Sequence, residues 1–455
     1  MKTRMNFKDE FYQKLKLLVL PIAIQNFMLA LVSATDAIML GWIDQTSLSA
    51  VSLAGQVQFV LSLFISGIAA GAGIMAAQYW GKQDAASIEK VIPIALRTNL
   101  LFSGLFTILA GFCPEMLMRI FTNDAALVAS GSQYLCAVAL SYVLCGISQV
   151  YLILLKNTGH AAVSSRISST AVVLNIILNA ILIYGLCGAP ALGIRGAAYA
   201  TVAARVVELI WAYLETKKPE RVRILWNRLF SSAGKILSED FWRYTLPVLA
   251  ASLVWGIAYV LYSVIMGHMG SDAVAANSIT SIAKSLLSCL IRGVSGGAGV
   301  LIGNLLGANE LEKAREYGGR LSHLSIAIGI VTGGLLMLIS PAIVHFAPLS
   351  DTAAEYLQYM LLFCGLNLMA QSVNTTVLDG IFCAGGDAKF DMQGNIGAMW
   401  CFSVPLGFLA AFWLKLPVMV VYCIVNLDEI VKLPAVYHHY KKYIWVRNIT
   451  RDIED

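Results

Sequence analysis

Long apolar runs are the feature that most constrains what this chain can fold into. Hydrophobic residues make up 58% of its 455 residues and charged residues only 13%, against about 25% in a typical soluble domain. Its mean hydropathy is +0.72. A water-soluble globule of this length cannot hide so much apolar surface. This composition excludes a soluble enzyme, a disordered protein and a nucleic-acid-binding protein.

Twelve of these runs are long enough to cross a bilayer as helices, which takes about 20 mostly apolar residues each. Backbone groups in lipid must be hydrogen-bonded within the segment, and the runs are too long for barrel strands. We therefore predict an all-α integral membrane protein. The predicted spans are 17–41, 50–78, 91–113, 131–155, 166–186, 193–214, 244–267, 273–304, 321–346, 356–382, 393–414 and 416–437.

The distribution of lysine and arginine predicts the orientation. If the N-terminus is cytoplasmic, the inner segments hold 24 of the 32 Lys and Arg residues, and the outer loops hold 3. Cytoplasmic loops are enriched in these residues, so we expect both termini inside. The first apolar run is a full span with no small-residue cleavage site after it, which predicts no cleaved signal peptide. Six tryptophans near span ends, among them Trp445, are expected to anchor at the membrane interface.

The second half of the chain repeats the first at a constant offset of 226 residues. Pro21 falls on Pro247, and the other pairs in register are Gly41/Gly267, Gly67/Gly293, Gly71/Gly297, Gly73/Gly299, Gly81/Gly307 and Gly159/Gly385. Several of these glycines form GxxxG pairs, which let membrane helices approach closely. A fixed offset is not expected from the abundance of glycine alone.

Each half carries six predicted spans, so both halves enter the membrane from the same side. We expect two six-helix lobes related by a pseudo-twofold axis along the membrane normal. The predicted domains are an N-lobe (1–214), a cytoplasmic linker (215–243), a C-lobe (244–440) and a cytoplasmic tail (441–455). Two similar bundles with a cleft between them favour a carrier that works by alternating access. A channel would need no such duplication.

Ionisable groups at mid-bilayer are costly and are functional candidates by default. Asp36 lies in an apolar stretch of the first span, near its outer end. Asn175 and Asn179 share one face of the fifth span, because residues four apart lie one above the other on a helix. Thr201 reaches a similar depth in the sixth span. Such oxygen ligands suit Na⁺, which would bind at Asp36. A buried carboxylate equally suits a proton.

A second set of candidates falls in the later spans. We expect four aromatic residues to line a cleft that holds planar cations. Two basic residues of the eighth span are expected either to neutralise a buried carboxylate or to line the cleft and favour anionic or zwitterionic cargo. These residues are Trp255, Tyr259, Tyr262 and Trp400, and Lys284 and Arg292. Arg205 and Glu208, three residues apart, are expected to pair with each other.

Several stretches together resemble the multidrug and toxin extrusion (MATE) family, of bacterial type, in the MOP flippase superfamily. They are "LPIAIQNFMLALVSATDAIMLGWI", "LAGQVQFVLSLFISGIAAGAGIMAAQYWGKQD", "LNIILNAILIYG" with "ALGIRGAAYAT", "GNLLGANELEKAREYG" and "GIFCAGGDAKF". The resemblance covers nearly the whole chain. It implies two six-helix lobes, a V-shaped cleft, and export of organic, often cationic, compounds driven by an inward H⁺ or Na⁺ gradient.

The resemblance also implies roles for individual residues. The first-span aspartate is the usual coupling residue of the family and matches Asp36, and the amide and hydroxyl positions match Asn175 and Thr201. The family often has a second aspartate where this chain has Asn179, and the missing carboxylate lowers the charge of the site. Asp379 matches an acidic position that some members use, and it is the alternative coupling residue.

We predict an antiporter, not an enzyme, in a bacterial inner membrane. It would export small organic substrates as a monomer, with no nucleic-acid partner. Nine scattered cysteines and the lack of an ATP motif predict no cofactor, so that H⁺ or Na⁺ supplies the drive. One alternative is a flippase of lipid-linked substrates, which would need a basic cleft. An integral membrane enzyme is the other, and it would need clustered His or acidic residues at a membrane face.

Overall fold

The computed structural model describes residues 7–42, 45–224, 226, 229, 234–347 and 349–452. Fifteen α-helices run through this part of the chain. Their bounds are α1 Phe7–Gly41, α2 Gln45–Gly81, α3 Ala85–Phe112, α4 Pro114–Arg119, α5 Ala125–Leu155, α6 Ala161–Tyr184, α7 Ile194–Thr216, α8 Lys235–Gly267, α9 Ser271–Gly307, α10 Leu311–Phe346, α11 Asp351–Thr375, α12 Ala388–Asn395, α13 Val404–Phe408, α14 Val418–Val425 and α15 Asp428–Tyr440. Of the basic residues assigned to the inner side, Lys2, Arg4 and Arg228 lie outside the described residues.

The helices agree with a multi-pass, all-α membrane protein. Ten segments among the described residues are long and apolar enough to cross a bilayer. One of them, Ala125–Tyr184, holds two predicted spans, because Thr158 and Gly159 leave helical geometry between α5 and α6, Gly159 with a φ of +81°. The last predicted span is interrupted at Asn426 and Leu427, between α14 and α15. Spans ten and eleven contain π-helical turns, over Thr376–Phe382 in the tenth.

The chain packs into two units that divide inside helices. Residues 27–249 form one, here the N unit, and residues 7–26 with 250–452 form the other, here the C unit. The boundaries therefore fall within α1 and α8, a few residues after Pro21 and Pro247. From the sequence we predicted that the two lobes are separated by the linker, residues 215–243. Lobes of 1–214 and 244–440 stay a prediction about which parts move together.

Glycines of the repeat explain how each unit packs. In the N unit, a Cβ on Gly71 of α2 would lie 2.7 Å from the Cα of Thr245 on α8, and one on Gly67 would lie 2.9 Å from the Cα of Leu249. The backbones of α2 and α8 therefore lie closer together than a Cβ at Gly67 or Gly71 would allow. Removing the Cβ is what permits this contact, as in GxxxG packing.

The C unit repeats the same contact at the 226-residue offset. A Cβ on Gly293 of α9 would lie 2.9 Å from the Cα of Ala23 on α1, and one on Gly297 would lie 2.8 Å from Cγ2 of Val19. All four positions are those of the N-unit contact shifted by 226 residues. The first half of α1 therefore packs in the C unit, and the first half of α8 packs in the N unit.

The close approach predicts a cost for Gly71→Ala. The added methyl collides with the α8 backbone, and we expect a loss of about 1–3 kcal/mol in the free energy of unfolding, because overpacking displaces backbone. Gly104→Ala is the matched control on α3, since its Cβ would have nothing within 4 Å and alanine is the better helix former by about 1 kcal/mol. Thermal unfolding of both variants in nanodiscs measures the difference. Equal melting temperatures would contradict the close-packing account.

The C-terminal segment corrects one expectation. Trp445 is fully buried in the C unit beside Phe11 and Tyr317, so its predicted place at the membrane interface is wrong. The chain after α15 folds back because the Arg447 guanidinium donates to the carbonyl oxygens of Gly385 and Gly386, both at 2.7 Å. These contacts hold the tail against the turn that follows the tenth span.

Candidate cation and substrate site

The four predicted cation-site residues come together in the N unit. Asn179 Nδ2 donates to Asp36 Oδ1 at 2.6 Å and to Asn175 Oδ1 at 3.3 Å. Asn175 Nδ2 in turn donates to Thr201 Oγ1 at 3.3 Å. One hydrogen-bonded chain therefore joins α1, α6 and α7, over a sequence separation of 143 residues between Asp36 and Asn179.

Local helix geometry explains why these side chains meet. Asn175 and Asn179 are one turn apart on α6 and both buried, Asn179 completely. The Thr201 hydroxyl also donates to the Ala197 carbonyl of its own helix at 3.0 Å, which fixes its rotamer. Asn179 Oδ1 is buried and has no hydrogen-bond donor among the described residues. The cluster thus keeps one unused oxygen beside the Asp36 carboxylate.

Asp36, Asn175 and Thr201 line a cavity of about 350 Å³ inside the N unit. Its wall also includes Leu29, Val32, Gly55, Gln58, Phe59, Ser62, Tyr134, Ala171, Val172, Ala204, Arg205 and Glu208. The mixture of apolar walls and a few polar groups is typical of small-molecule sites, which span about 300–1,000 Å³. The cavity therefore has the size and lining for a small organic molecule.

The predicted pair of Arg205 and Glu208 forms and lines the same cavity. Arg205 Nη1 lies 2.9 Å from Glu208 Oε2 and 3.1 Å from Oε1, and Ser148 Oγ of α5 donates to Glu208 at 2.6 Å. Glu208 is 1% exposed and Arg205 19%. The pairing was predicted from the sequence, but its place in the site was not. The signal was available, because Arg205 lies one helical turn from Thr201 and so shares its face.

The donor set fits either proposed coupling ion. The described residues hold no group of three or more His, Cys, Asp or Glu side chains that could bind a metal. A Na⁺ here would depend on one carboxylate with amide and hydroxyl oxygens, which are the hard ligands that such cations take. A proton needs only the Asp36 carboxylate. Within the described cluster Asp36 is the one titratable group with a direct hydrogen bond to the amides.

The alternative residue, Asp379, lies in the C unit on the π-helical turn of the tenth span. Its side chain is exposed. Its electrostatic neighbours are Asp391, Glu429, Lys432 and Arg292. All four of these neighbours belong to the C unit, as Asp379 does.

Three of the four aromatic candidates lie close together in the C unit. Trp255 stacks on Tyr259 with ring centroids 5.5 Å apart, and Trp400 Nε1 donates to the carbonyl of Val254 at 3.0 Å. Tyr259 and Trp400 are exposed. Tyr262 instead packs into the apolar core of the unit, where it is 9% exposed.

The two basic candidates of α9 differ in their surroundings. Lys284 is half-buried and donates to Asn367 Oδ1 of α11 at 3.1 Å, a partner 83 residues away that the sequence did not indicate. Arg292 is exposed and lies close enough to Asp379 to interact electrostatically. Neither residue lines the cavity in the N unit.

Known proteins resemble the chain over nearly its whole length. The "Uncharacterized transporter YisQ" of Bacillus subtilis is 21% identical over 94% of this chain and 93% of its own. The "Probable multidrug resistance protein YoeA" of the same organism is 21% identical over 99% and 98%. A solved structure, described as the outward-facing conformation of a multidrug resistance MATE family transporter of the MOP superfamily, superposes with a TM-score of 0.85 at 19% identity, covering 95% of both chains.

The fold is therefore that of MATE transporters, which have twelve transmembrane helices in two lobes. The MatE family model matches twice, over residues 21–181 and 247–409. The two matches begin 226 residues apart, which is the offset of the internal repeat. Proteins of this family are transporters and not enzymes. Two family matches that together cover most of the chain lead to one conclusion: this protein belongs to the MatE family of multi-pass membrane transporters.

Proposed function

We propose that this protein is a secondary active efflux transporter that exchanges small organic compounds, cationic or amphiphilic, for H⁺ or Na⁺ by alternating access. The observation that carries the proposal is the Asp36 carboxylate at the wall of the 350 Å³ cavity, hydrogen-bonded to a buried amide at 2.6 Å. Glu208 lines the same cavity, but Arg205 neutralises its charge, so Asp36 is the carboxylate that attracts a cation that enters. The similarity to YoeA, which is named a probable multidrug resistance protein, supports organic cargo.

The exchange follows from competition for one negative charge. A coupling cation bound at Asp36 neutralises the carboxylate, and a cationic cargo in the same cavity then loses its counter-charge. Binding of either cation therefore weakens binding of the other. A ligand moves a conformational equilibrium only by its differential affinity for the two states. Coupling thus requires that Asp36, Asn175, Asn179 and Thr201 bind the cation more tightly in one state.

We infer a bacterial inner membrane with both termini cytoplasmic, because Lys and Arg are concentrated in the predicted inner segments. We also infer a monomer that needs no cofactor, since the residues that line the cavity come from one unit of one chain. The lobes that move would be 1–214 and 244–440, joined by the linker 215–243. The aromatic group of Trp255, Tyr259 and Trp400 would bind planar cargo within the C unit.

Transport in liposomes tests the proposal. Purified protein is reconstituted with a fluorescent organic cation, and a pH gradient and a Na⁺ gradient are imposed separately. We expect one gradient, inward relative to the cell, to drive the dye against its own gradient. Protein-free liposomes give the leak. Dye movement that neither gradient changes would reject an ion-driven antiporter for this cargo.

A second carboxylate in the N-unit cluster should raise its affinity for Na⁺. Asn179→Asp restores the aspartate that the family often has, within 2.6 Å of Asp36. Two adjacent carboxylates repel each other unless a cation or proton lies between them. We expect at least about a tenfold lower Na⁺ concentration for half-maximal binding, equivalent to about 1.4 kcal/mol. Isothermal titration with Na⁺ measures it.

Thr201→Val is the matched control, because it removes one candidate oxygen at nearly constant volume and should weaken Na⁺ binding. An unchanged Na⁺ affinity in Asn179→Asp would contradict the assignment of this cluster as the cation site.

The flippase alternative is favoured by one observation, the exposed Arg292 guanidinium in the C unit, with half-buried Lys284 on the same helix. Such donors would bind the phosphate of a lipid-linked cargo. The same liposomes with a labelled lipid-linked phosphate compare the two functions. Scrambling of the lipid without any response to an ion gradient would favour the flippase.

A further inference from the structure

A second group of charges lies in the C unit, outside the N-unit cavity. Its acidic members come from two helices, α12 and α15, and a lysine of α15 lies among them. We name it the C-unit ion cluster: Asp391, Asp428, Glu429 and Lys432, with the amides Asn374 and Asn395. The Glu429 side chain is 13% exposed, and each of the other five residues is 8% exposed or less. The function proposed above uses none of them.

Lys432 is the centre of this cluster. Its Nζ lies 3.3 Å from Glu429 Oε1 and 3.5 Å from Asp428 Oδ2, with only 5% of the side chain exposed. Both of those carboxylates belong to the same helix, but Asp391 comes from α12 and is close enough to interact electrostatically with the ammonium. A buried ammonium is stable only when carboxylates and hydrogen bonds replace its lost water.

The amides complete an oxygen-rich environment. Asn374 Nδ2 donates to Glu429 Oε2 at 2.8 Å and to the Glu429 carbonyl at 2.6 Å, and Asn395 Nδ2 donates to Asp391 at 3.2 Å. Asn374 Oδ1 is buried and lacks a donor among the described residues. This unused, buried oxygen belongs to an amide that already contacts the Glu429 carboxylate, and it is free to bind a cation.

The carboxylates of Asp428 and Glu429 and the free amide oxygen of Asn374 are ligands of the kind that Na⁺ binds, yet the cluster already holds a cation, the Lys432 ammonium. A lysine ammonium is a compact, strongly hydrated point charge, and it resembles an alkali cation in its demand for oxygen ligands. A second cation in the cluster would lie next to it and be repelled. The ammonium cannot leave, because it is tethered to α15.

We propose that the Lys432 ammonium is the resident cation of the C-unit ion cluster, in the place that Na⁺ would otherwise take. The C unit therefore binds no free coupling cation, and it becomes a Na⁺ site when Lys432 is removed. This inference rests on the proposed function only in leaving ion coupling to Asp36. Its test measures ion binding and not transport.

The test uses the Asp36→Asn background, so that any Na⁺ response arises outside the N-unit cluster. Thermal unfolding of the purified protein is followed while NaCl replaces choline chloride at constant ionic strength. Asp36→Asn alone should show no Na⁺ response. Asp36→Asn with Lys432→Met should melt lower in choline and gain at least about 3 °C in saturating Na⁺, because a ligand that binds the folded state stabilises it.

Two controls separate a cation site from general destabilisation. Lys441→Met removes an exposed lysine just after α15, and it should give no Na⁺ response in the same background. Adding Asp391→Asn to the Lys432→Met variant removes one carboxylate from the cluster and should abolish the rise in melting temperature in Na⁺. A Lys432→Met protein that is destabilised but insensitive to Na⁺ would overturn the proposal.

A direct binding measurement covers the case in which Lys432→Met does not fold. Radioactive Na⁺ bound to purified Asp36→Asn should be indistinguishable from a protein-free blank. Na⁺ binding to Asp36→Asn that Asp391→Asn removes would overturn the proposal without any Lys432 variant. A failure of the transport assay would leave both binding measurements intact, so the two hypotheses fail independently.

Discussion

Asp36→Asn is expected to reduce gradient-driven transport by about 100-fold, the upper range of typical coupling between two ligands. The substitution keeps the size of the side chain and its contact with the Asn179 amide at 2.6 Å. It removes the negative charge, so neither a proton nor Na⁺ is bound there at physiological concentrations. Accumulation of the dye against its gradient should therefore stop.

The same variant should keep its fold, because an amide can still hydrogen-bond to Asn179 after the amide flips. Its melting temperature should stay within about 3 °C of the wild type, since one hydrogen bond contributes about 1 kcal/mol. Asp272→Asn is the matched control, as this side chain accepts a hydrogen bond from Ser350 at an exposed position of the C unit. Full transport by Asp36→Asn would remove Asp36 from the coupling role.

Glu208→Gln should destabilise the protein by about 3–5 kcal/mol, the cost of leaving one partner of a buried ion pair without its counter-charge. Glu208 is 1% exposed and accepts from both Arg205 and Ser148. Removing its charge leaves the guanidinium, 19% exposed, with no other carboxylate bonded to it among the described residues. The free energy of unfolding is measured in mixed micelles with increasing SDS.

Two further variants test whether the unpaired Arg205 charge causes this loss of stability. The double variant Arg205→Gln/Glu208→Gln removes both charges and should recover at least half of the loss, because the unpaired charge is the main cost. Glu10→Gln breaks the exposed pair with Lys14 and should cost less than about 1 kcal/mol. A loss in Glu208→Gln no larger than in Glu10→Gln would show that the pair is solvated, contrary to its burial.

Much of the fold follows from the sequence because bilayer physics leaves few choices. Apolar length predicted the spans, and the 226-residue offset indicated the repeat before any contact was known. The offset recurs in three dimensions, since Gly71 meets Thr245 in the N unit and Gly297 meets Val19 in the C unit. The sequence did not indicate that α1 and α8 each divide between the units, because span prediction says nothing about which helices pack together.

The N-unit cluster was also within reach of the sequence. Equal depth in the outer half of three spans was enough to group Asp36, Asn179 and Thr201, and the hydrogen bonds join these helices. Depth alone did not reveal that the Arg205–Glu208 pair shares the cavity. Pairing three residues apart is visible in a sequence, whereas the cavity depends on which faces of α2, α5 and α7 are left unfilled.

The C unit was predicted less well, for reasons that lie in long-range contacts. Asn367, the partner of Lys284, is 83 residues away and is one amide among several in its span. Trp445 has the sequence position of an interfacial residue, but two close glycines, Gly318 and Gly385, leave room for its ring and backbone inside the protein. A glycine in a sequence indicates that another group can pack closely against it, but it does not identify that group.

We propose that Asp36 is the coupling residue, with Asp379 as the alternative. The most direct measurement follows ion movement that cargo triggers in liposomes, with a pH-sensitive dye inside or radioactive Na⁺. Wild type, Asp36→Asn and Asp379→Asn are compared side by side. We expect Asp379→Asn to keep cargo-dependent ion movement and Asp36→Asn to lose it. Loss in Asp379→Asn together with full ion movement in Asp36→Asn would contradict the account.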